Sequence, residues 1–293
     1  MRIGVIGASG FIGKAFCQLA LSKGHKVVGY SRRSRKSAEI EWRVFDNAPD
    51  LSNLDVIVNY AGESVAQRWS EAKKKEFYNS RVGVTEAIVN QLQTMPVDSR
   101  PTTLINASAV GYYGDCGNKK LTEESPVGTG YLADLCKQWE AAALEAESLG
   151  VRVVIGRIGI VLGDGGEAWE KMKTAFSFGI GGNLGSGQQW MPWVHVDDIA
   201  GATLHSVETT ELSGAVNFVS PDPQKNADFT KALGKALSRP TLIPAPAFAL
   251  RLAFGEFGKH LLDSYRVYPE VLESTGYEFK YVKLNNCLNN MLC

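Results

Sequence analysis

The residues of this chain best suited to chemistry by type and spacing form a glycine-rich turn near the N-terminus. The segment Gly7-Ala8-Ser9-Gly10-Phe11-Ile12-Gly13 separates an apolar, β-branched run from a stretch with helical spacing. Glycine allows positive φ and lets the backbone approach a ligand closely. The N-terminus of the following helix offers unpaired N–H groups and a positive dipole end to a pyrophosphate. This context predicts a dinucleotide-binding turn. Its predicted contacts are Gly7, Ser9, Gly10, Phe11, Ile12 and Gly13.

A second group of residues follows the next predicted strand, at the position that contacts the adenosine ribose in dinucleotide-binding folds. An Asp or Glu at this position binds a ribose that lacks a 2′-phosphate. This chain has Ser31, Arg32 and Arg33 there, and no acidic residue precedes Glu39. A carboxylate would repel a 2′-phosphate, whereas a guanidinium can bind one through two hydrogen bonds. Ser31 and Arg32 therefore predict NADP (NADPH) as the cofactor, in preference to NAD.

The elements that must position these residues alternate along the first half of the chain. Apolar, β-branched runs predict strands at residues 3–6, 26–30, 56–59, 103–108 and 151–156. Helical spacing of apolar residues covers 12–23, 70–93 and 131–148. This alternation predicts an α/β chain, with a Rossmann-type doubly wound parallel sheet. Asn59 and Arg157 follow or end two of the strands, where a ligand crevice forms, so their position alone makes them candidates for ligand contact.

The pattern changes after Leu162 and predicts a second, smaller unit. We expect residues 1–165, with segments around 194–220, to form the NADP-binding Rossmann domain. Residues 166–193 and 221–293 then form a small, mostly helical substrate domain at the C-terminus. A glycine-rich loop at 179–187 and prolines at 240, 244 and 246 are typical of this second part.

The composition of the chain argues against two classes of binding partner. The 293 residues are 44% hydrophobic and 21% charged, with a formal net charge of zero. Nucleic acid and anionic membranes both require a basic face, so neither is expected as a partner. The five cysteines include no CxxC pair, and an isolated histidine at 195 gives no metal site. We therefore expect a cytoplasmic protein, as a monomer or homodimer, that acts on an unidentified small molecule.

Motifs along the whole chain resemble those of one family. Beside GASGFIG and SRR, they are NYAGE (59–63), RW (68–69), KEFYNSR (75–81), ASAVGYYGD (107–115), GYLADLCKQWEAAA (130–143), RIGIVLG (157–163), GIGGNLGSGQQWMPWVHVDDIAGA (179–202) and PEVLESTGY (269–277). The chain resembles the extended, atypical branch of the short-chain dehydrogenase/reductase superfamily, and more narrowly the YfcH-like NAD(P)-dependent epimerase family. The resemblance implies a Rossmann-type NADP domain, a small C-terminal domain and an active site between them.

The same resemblance implies further contacts beside the cofactor. Asn59, Ala61 and Gly62 match the turn that passes under the dinucleotide. Glu76 and Arg81 match a helix pair near the cofactor. Arg157, just past a strand, is a further candidate.

This chain lacks one of the three catalytic residues that the resemblance implies. The superfamily uses a tyrosine as acid and base, a lysine that lowers the pKa of that tyrosine, and a serine or threonine that binds the substrate oxygen. Ser108 matches the serine and Tyr131 the tyrosine, but Leu135 occupies the lysine position. Lys137 is a poor substitute, because six residues along a helix correspond to a rotation of about 120° from Tyr131. A tyrosine without a nearby cation has a pKa of about 10.

Two other tyrosines and the segment around Trp190 leave alternatives open. Tyr112 and Tyr113 are either alternative proton donors or aromatic residues that close the crevice. The apolar residues at 190, 191 and 193 either contact an apolar ligand or pack the two domains together. His195 and Asp197 are expected to fix a loop or cap a helix, and Asp198 to cap a helix that begins at residue 199.

Three functions are compatible with these residues. The first is an NADP(H)-binding oxidoreductase or epimerase-like protein, and the second is a catalytically silent NADPH-binding sensor. The third is a nucleotide-sugar epimerase, which Leu135 and Met191 both disfavour. Nucleotide-sugar enzymes usually have an arginine for the diphosphate where this chain has Met191.

Overall fold

A seven-stranded parallel sheet is the centre of the computed structural model, which describes residues 1–292 and leaves Cys293 outside the described part. The strands of the chain are β1 (Arg2–Ile6), β2 (Lys26–Ser31), β3 (Glu41–Val44), β4 (Val56–Asn59), β5 (Thr103–Ala109), β6 (Lys120–Leu121), β7 (Arg152–Ile158), β8 (Ile160–Leu162), β9 (Trp190–Met191), β10 (Trp193–His195), β11 (Gly214–Phe218), β12 (Gln224–Lys225) and β13 (Arg266–Val267). The sheet has the order β11-β7-β5-β4-β1-β2-β3. The chain leaves β1 toward β2 on one side and returns to β4 on the other, so the switch point lies between β1 and β4.

Helices cover both faces of this sheet. They are α1 (Phe11–Ser22), α2 (Glu71–Tyr78), α3 (Val84–Thr94), α4 (Tyr131–Leu144), α5 (Glu167–Ser177), α6 (Val196–Glu208), α7 (Asn226–Ala236), α8 (Ala247–Phe254), α9 (Phe257–His260), α10 (Glu270–Ser274) and α11 (Leu284–Leu292). On one face, Phe16 of α1 and Ile199 of α6 pack with sheet residues in one core, and on the other Ile88 of α3 packs in a second. The predicted α/β Rossmann-type fold with a helical C-terminal part is confirmed.

Two differences from the sequence prediction concern the helix over 70–93 and the edge of the central sheet. The predicted helix over 70–93 is divided into α2 and α3 by a π-helical turn at Asn79–Gly83. The backbone stays helical through this π turn, so no proline or extended residue marks the division in the sequence. The second difference is β3, an edge strand that the prediction missed because its residues Glu41–Val44 are not a continuous apolar run.

A separate core lies in the C-terminal part of the chain. It is built from α5, α7, α11 and the short strands that precede α6, and its large buried side chains are Trp169, Trp193 and Phe229. Packing thus accounts for Trp193, whereas Trp190 and Met191 border a cavity described below. The domain boundaries predicted from the sequence stay a prediction. Among residues 1–292, no helix combines the length and apolar character needed to cross a bilayer.

Asp198 joins the two parts of the chain instead of capping its own helix. Helix α6 begins at Val196, and the Nδ1 of His195 accepts a hydrogen bond from the Asp197 N–H at 3.1 Å. The expected capping role of His195 is therefore confirmed, and the cap predicted for Asp198 is wrong. The buried Asp198 carboxylate accepts hydrogen bonds from the backbone N–H groups of Lys280 and Tyr281 at 2.7 and 3.0 Å.

Replacing Asp198 with alanine is expected to lower the free energy of unfolding by about 2 kcal/mol, because it leaves the buried Tyr281 N–H and the part-buried Lys280 N–H without an acceptor. Urea denaturation followed by circular dichroism measures this change. The matched control is Asp197→Ala, which removes the half-exposed ion pair with Lys280 and should change stability by under about 1 kcal/mol. Equal losses in the two variants would contradict the assigned role of Asp198.

Candidate functional site

A groove of about 540 Å³ opens at the carboxyl ends of β1, β2 and β4. It lies at the switch point of the sheet, where ligands of open α/β folds bind. Eight of the residues predicted to contact the cofactor line it: Gly7, Ser9, Gly10, Ser31, Arg32, Ala61, Gly62 and Glu76. The fold therefore brings together residues that are as far as 69 positions apart in the sequence.

The glycine turn is closely packed against its surroundings. Gly7 has φ of +81°, and a Cβ atom on it would lie 3.0 Å from the backbone of Tyr60. A Cβ atom on Gly13 would lie 2.2 Å from the carbonyl oxygen of Gly7. The backbone thus fills the space that side chains would occupy, and the N-terminus of α1 faces the groove. Phe11 and Ile12 point elsewhere: Phe11 packs under a loop at residues 163–166, and Ile12 lines a second cavity.

A cluster of positive charge lies at the end of the groove. Arg32, Arg33 and Arg35 surround a recess together with Ser9 and Ser31. None of the three guanidinium groups forms an ion pair within 4.0 Å with a carboxylate of residues 1–292. Exposed positive charge without an acidic partner suits a phosphate.

Asn59 supports the groove from below and does not line it. It is fully buried, and its Nδ2 donates hydrogen bonds to Thr85 Oγ1 at 3.1 Å and Asn106 Oδ1 at 2.7 Å. Its Oδ1 accepts one from the Ala61 N–H at 3.0 Å. These bonds fix the turn at Ala61 and Gly62, so the structure gives Asn59 a positioning role.

A second cavity of about 450 Å³ adjoins the groove. The two share Tyr60, Ala61 and Gly62 as a common wall. We call this second cavity the cleft. One side is formed by the carboxyl end of the sheet and α4, and the other by segments from the C-terminal part. The polar side chains that line it include Arg81, Ser108, Cys136, His260, Asp263 and Tyr265.

The register of α4 decides which of its residues face the cleft. Leu132, Leu135, Cys136 and Trp139 line the cleft, as expected for one stripe of a helix. Tyr131, the first residue of α4, is only about 40° around the helix from Leu135, but it is not among the residues that line the cleft. Its hydroxyl donates a hydrogen bond to the backbone carbonyl of Lys74 at 3.2 Å, and its ring packs on Trp69. Burial raises the pKa of Tyr131. The structure does not bring the predicted tyrosine into the cleft.

Ser108 does line the cleft, but its hydroxyl is held by a buried ion pair. Its Oγ donates to Glu140 Oε1 at 2.6 Å, and Glu140 binds Arg157 through two hydrogen bonds of 3.0 and 2.8 Å. Arg157 also donates to the Tyr113 hydroxyl, and its guanidinium lies 3.6 Å from the ring centroid of Tyr112. Burial alone would lower the pKa of Arg157, but Glu140 and Tyr113 reverse this effect and raise it.

This network gives Arg157, Tyr112 and Tyr113 structural contacts, and none of the three lines the groove or the cleft. Sequence reasoning missed its central residue, Glu140. One signal was available, because an acidic residue next to Trp139 and before three alanines is unusual on the buried side of a helix. It also missed His260, Asp263 and Tyr265, which reach the cleft from the C-terminal part.

Residues 3–217 match the NAD dependent epimerase/dehydratase family, and residues 245–291 match a domain of unknown function, DUF1731. The first match covers more than half of the chain. The chain belongs to the epimerase/dehydratase family. The resemblance inferred from its motifs is confirmed, including the small C-terminal domain of unknown function.

Other members of this family are similar to the chain over their full length. An epimerase family protein of Mycobacterium bovis is 39% identical over 292 residues, which cover 98% of this chain and 96% of the relative. The crystal structure of the human epimerase family protein SDR39U1 (isoform 2), determined with NADPH, has a TM-score of 0.92 and 33% identity, covering 100% of this chain and 99% of that one. A UDP-glucuronic acid 4-epimerase from Bacillus cereus, with a TM-score of 0.77 and 18% identity over 100% of this chain and 98% of its own, shares the fold.

Proposed function

We propose that this member of the epimerase/dehydratase family binds NADPH in the groove and acts on a small molecule in the adjoining cleft, as an oxidoreductase or epimerase-like enzyme. The observation that carries the proposal is the arginine cluster at the end of a groove that begins at the glycine turn. The similarity to the human protein crystallised with NADPH supports it independently.

The residues of the groove fit this cofactor. In the proposed arrangement, the turn from Gly7 to Gly13 and the N-terminus of α1 bind the pyrophosphate, because the first N–H groups of a helix have no acceptor within the helix. Ser31 and Arg32 bind the 2′-phosphate. Ala61 and Gly62 form the floor on which the dinucleotide lies, and Glu76 borders it. When bound, NADPH supplies a hydride.

The part that this chain itself plays is to bind and orient. Ser108 lines the cleft, and because its one hydroxyl hydrogen is donated to Glu140, its oxygen can accept a hydrogen bond from a substrate hydroxyl. The wall shared by groove and cleft places a substrate next to the cofactor, and the apolar residues of α4 exclude water from the reacting atoms.

A second candidate is a catalytically silent NADPH-binding protein. The direction of the Tyr131 hydroxyl favours it, because that hydroxyl is bonded to a backbone carbonyl outside the cleft. Leu135 also leaves the cleft without the lysine that the superfamily uses. A nucleotide-sugar epimerase is less well supported, since Met191 borders the cleft where a diphosphate would need an arginine. Oxidation of NADPH by a panel of aldehydes and ketones would distinguish an enzyme from the silent protein.

The experiment that tests the proposal is a fluorescence titration with NADPH and with NADH. We expect NADPH to bind more tightly by at least about tenfold, because a 2′-phosphate gains charge-assisted hydrogen bonds from Arg32. Arg32→Ala should remove most of this preference and leave NADH affinity unchanged. Lys137→Ala, which removes a charge from the exposed side of α4, is the control. Equal affinities for the two dinucleotides in the wild type would refute the assignment of the arginine cluster.

A further inference from the structure

Arg81 is a partly buried cation at the wall of the cleft, without a carboxylate partner in the described chain. It lies in the π turn between α2 and α3, with its guanidinium carbon 3.3 Å from the place that a Cβ atom on Gly62 would occupy. The guanidinium is 5.4 Å from the ring centroid of Trp139. Within residues 1–292 no carboxylate comes within 4.0 Å of it, and its side chain makes one hydrogen bond, of 3.4 Å, to Ser80 Oγ.

Burial is unfavourable for this unpaired charge and lowers the pKa of Arg81. A guanidinium remains protonated despite such a shift, because its ordinary pKa is above 12. A cation in this state has hydrogen-bond donors that are not used by the protein. It therefore offers an anionic ligand a stronger interaction than an exposed arginine would.

The other polar groups of the cleft do not neutralise Arg81. Asp263 is the one acidic side chain lining this cavity in the described chain, and it is bound by His260 Nδ1 at 2.6 Å and by the Tyr265 hydroxyl at 3.2 Å. Burial raises the pKa of Cys136 to about 11, so its thiol is uncharged at neutral pH. The positive charge of Arg81 is thus available.

The rest of the cleft is mostly apolar. Its surface includes Leu132, Leu135 and Ile158 from the Rossmann part, with Trp190 and Phe257 from the opposite side. No lysine and no second arginine of residues 1–292 lines it. One cation matches one negative charge, whereas a phosphate dianion or a diphosphate would bring more charge than these residues can balance.

We propose that the cleft binds a small, mainly apolar molecule that carries a single carboxylate, and that Arg81 binds this carboxylate through its guanidinium. The assignment deepens the proposed function, on which it rests, by naming the class of substrate. It moves Arg81 from the cofactor contacts that the family resemblance implied to the substrate side of the shared wall, since Arg81 lines the cleft and not the groove.

The test uses three carboxylates as probes, namely benzoate, phenylacetate and trans-cinnamate, each paired with its uncharged amide. Calorimetric titrations are made on the protein with and without saturating NADPH. At least one acid should bind about tenfold more tightly than its amide, because only the acid gains a charge-assisted pair with Arg81. Arg81→Gln should abolish this difference between acid and amide, and Arg81→Lys should retain part of it.

Controls separate the subsite from general electrostatics and from the cofactor. Lys137→Gln removes the same charge from an exposed position and should leave the acid-to-amide ratio unchanged. NADPH affinity should be the same in the wild type and in Arg81→Gln. Equal binding of acids and amides, no binding of any probe, or tighter binding of phenyl phosphate than of all three acids would overturn the proposal. Failure of NADPH to bind would refute the proposed function, while titrations without NADPH still test the carboxylate site.

Discussion

Replacing Glu140 with glutamine is expected to lower the free energy of unfolding by about 3 to 5 kcal/mol, because it leaves the buried cation of Arg157 without its counter-ion. The side chains of Glu140 and Arg157 are only 7% and 5% exposed, so water cannot replace the lost partner. Glutamine keeps the size of the side chain, which separates the loss of charge from the creation of a cavity. Urea denaturation measures the change.

Two comparisons make this expectation specific. Glu270→Gln removes a carboxylate from the exposed ion pair with Lys120 and should have a much smaller effect. The double variant Glu140→Leu/Arg157→Met removes both charges, and it should be more stable than Glu140→Gln alone, because no unpaired charge remains buried. A double variant less stable than Glu140→Gln would show that packing, and not charge, dominates at this position.

Replacing Gly13 with alanine is expected to weaken NADPH binding by about 100-fold, the equivalent of about 2.7 kcal/mol. The added Cβ atom would lie 2.2 Å from the Gly7 carbonyl oxygen and 2.9 Å from the Ala8 Cα atom. Both are backbone atoms, so no side chain can rotate out of the way. The turn must open instead, which moves the N–H groups proposed to bind the pyrophosphate. Fluorescence titration with NADPH measures the loss.

The matched control for this substitution is Gly83→Ala in the π turn. The nearest atom to a Cβ on Gly83 is the Asn79 Cβ at 4.0 Å, so alanine fits there without displacement. NADPH affinity in Gly83→Ala should therefore equal that of the wild type. If Gly13→Ala also bound NADPH as the wild type does, the close approach at Gly13 would have no part in cofactor binding.

The buried ion pair of Glu140 and Arg157 also holds the hydroxyl of Ser108, a residue that lines the cleft. The Glu140 carboxylate that accepts the hydrogen bond of the Ser108 hydroxyl is also the partner of Arg157, so the orientation of Ser108 depends on a network below the cleft. A variant that disturbs Glu140 should therefore affect both stability and any reaction that uses Ser108. Tyr131 lies outside the cleft. His260 and Tyr265 line the cleft, and each has a polar hydrogen whose position is fixed by a hydrogen bond to Asp263.

Much of the fold was predictable because it depends on local patterns. Buried parallel strands are nearly continuous apolar runs, and the glycine turn follows the first of them directly, so the groove could be located from sequence. The division between α2 and α3 could not be predicted, because the backbone stays helical through the π turn and no proline marks it. The role of Asp198 could not be predicted from the sequence either, because its partners at residues 280 and 281 are about 80 positions away in the chain.

By itself, the sequence determined the parallel Rossmann-type sheet, the family, and the glycine and arginine segments of the groove, since each depends on residues that are close together in the chain. The tertiary structure alone decided which side chains face the cleft. Contacts with the Lys74 carbonyl and the Trp69 ring hold Tyr131 outside the cleft, whereas Leu132 and Cys136 line it. It also decided that Arg157 is paired while Arg81 is not, because the position of Glu140 relative to each arginine depends on how α4 packs against the sheet.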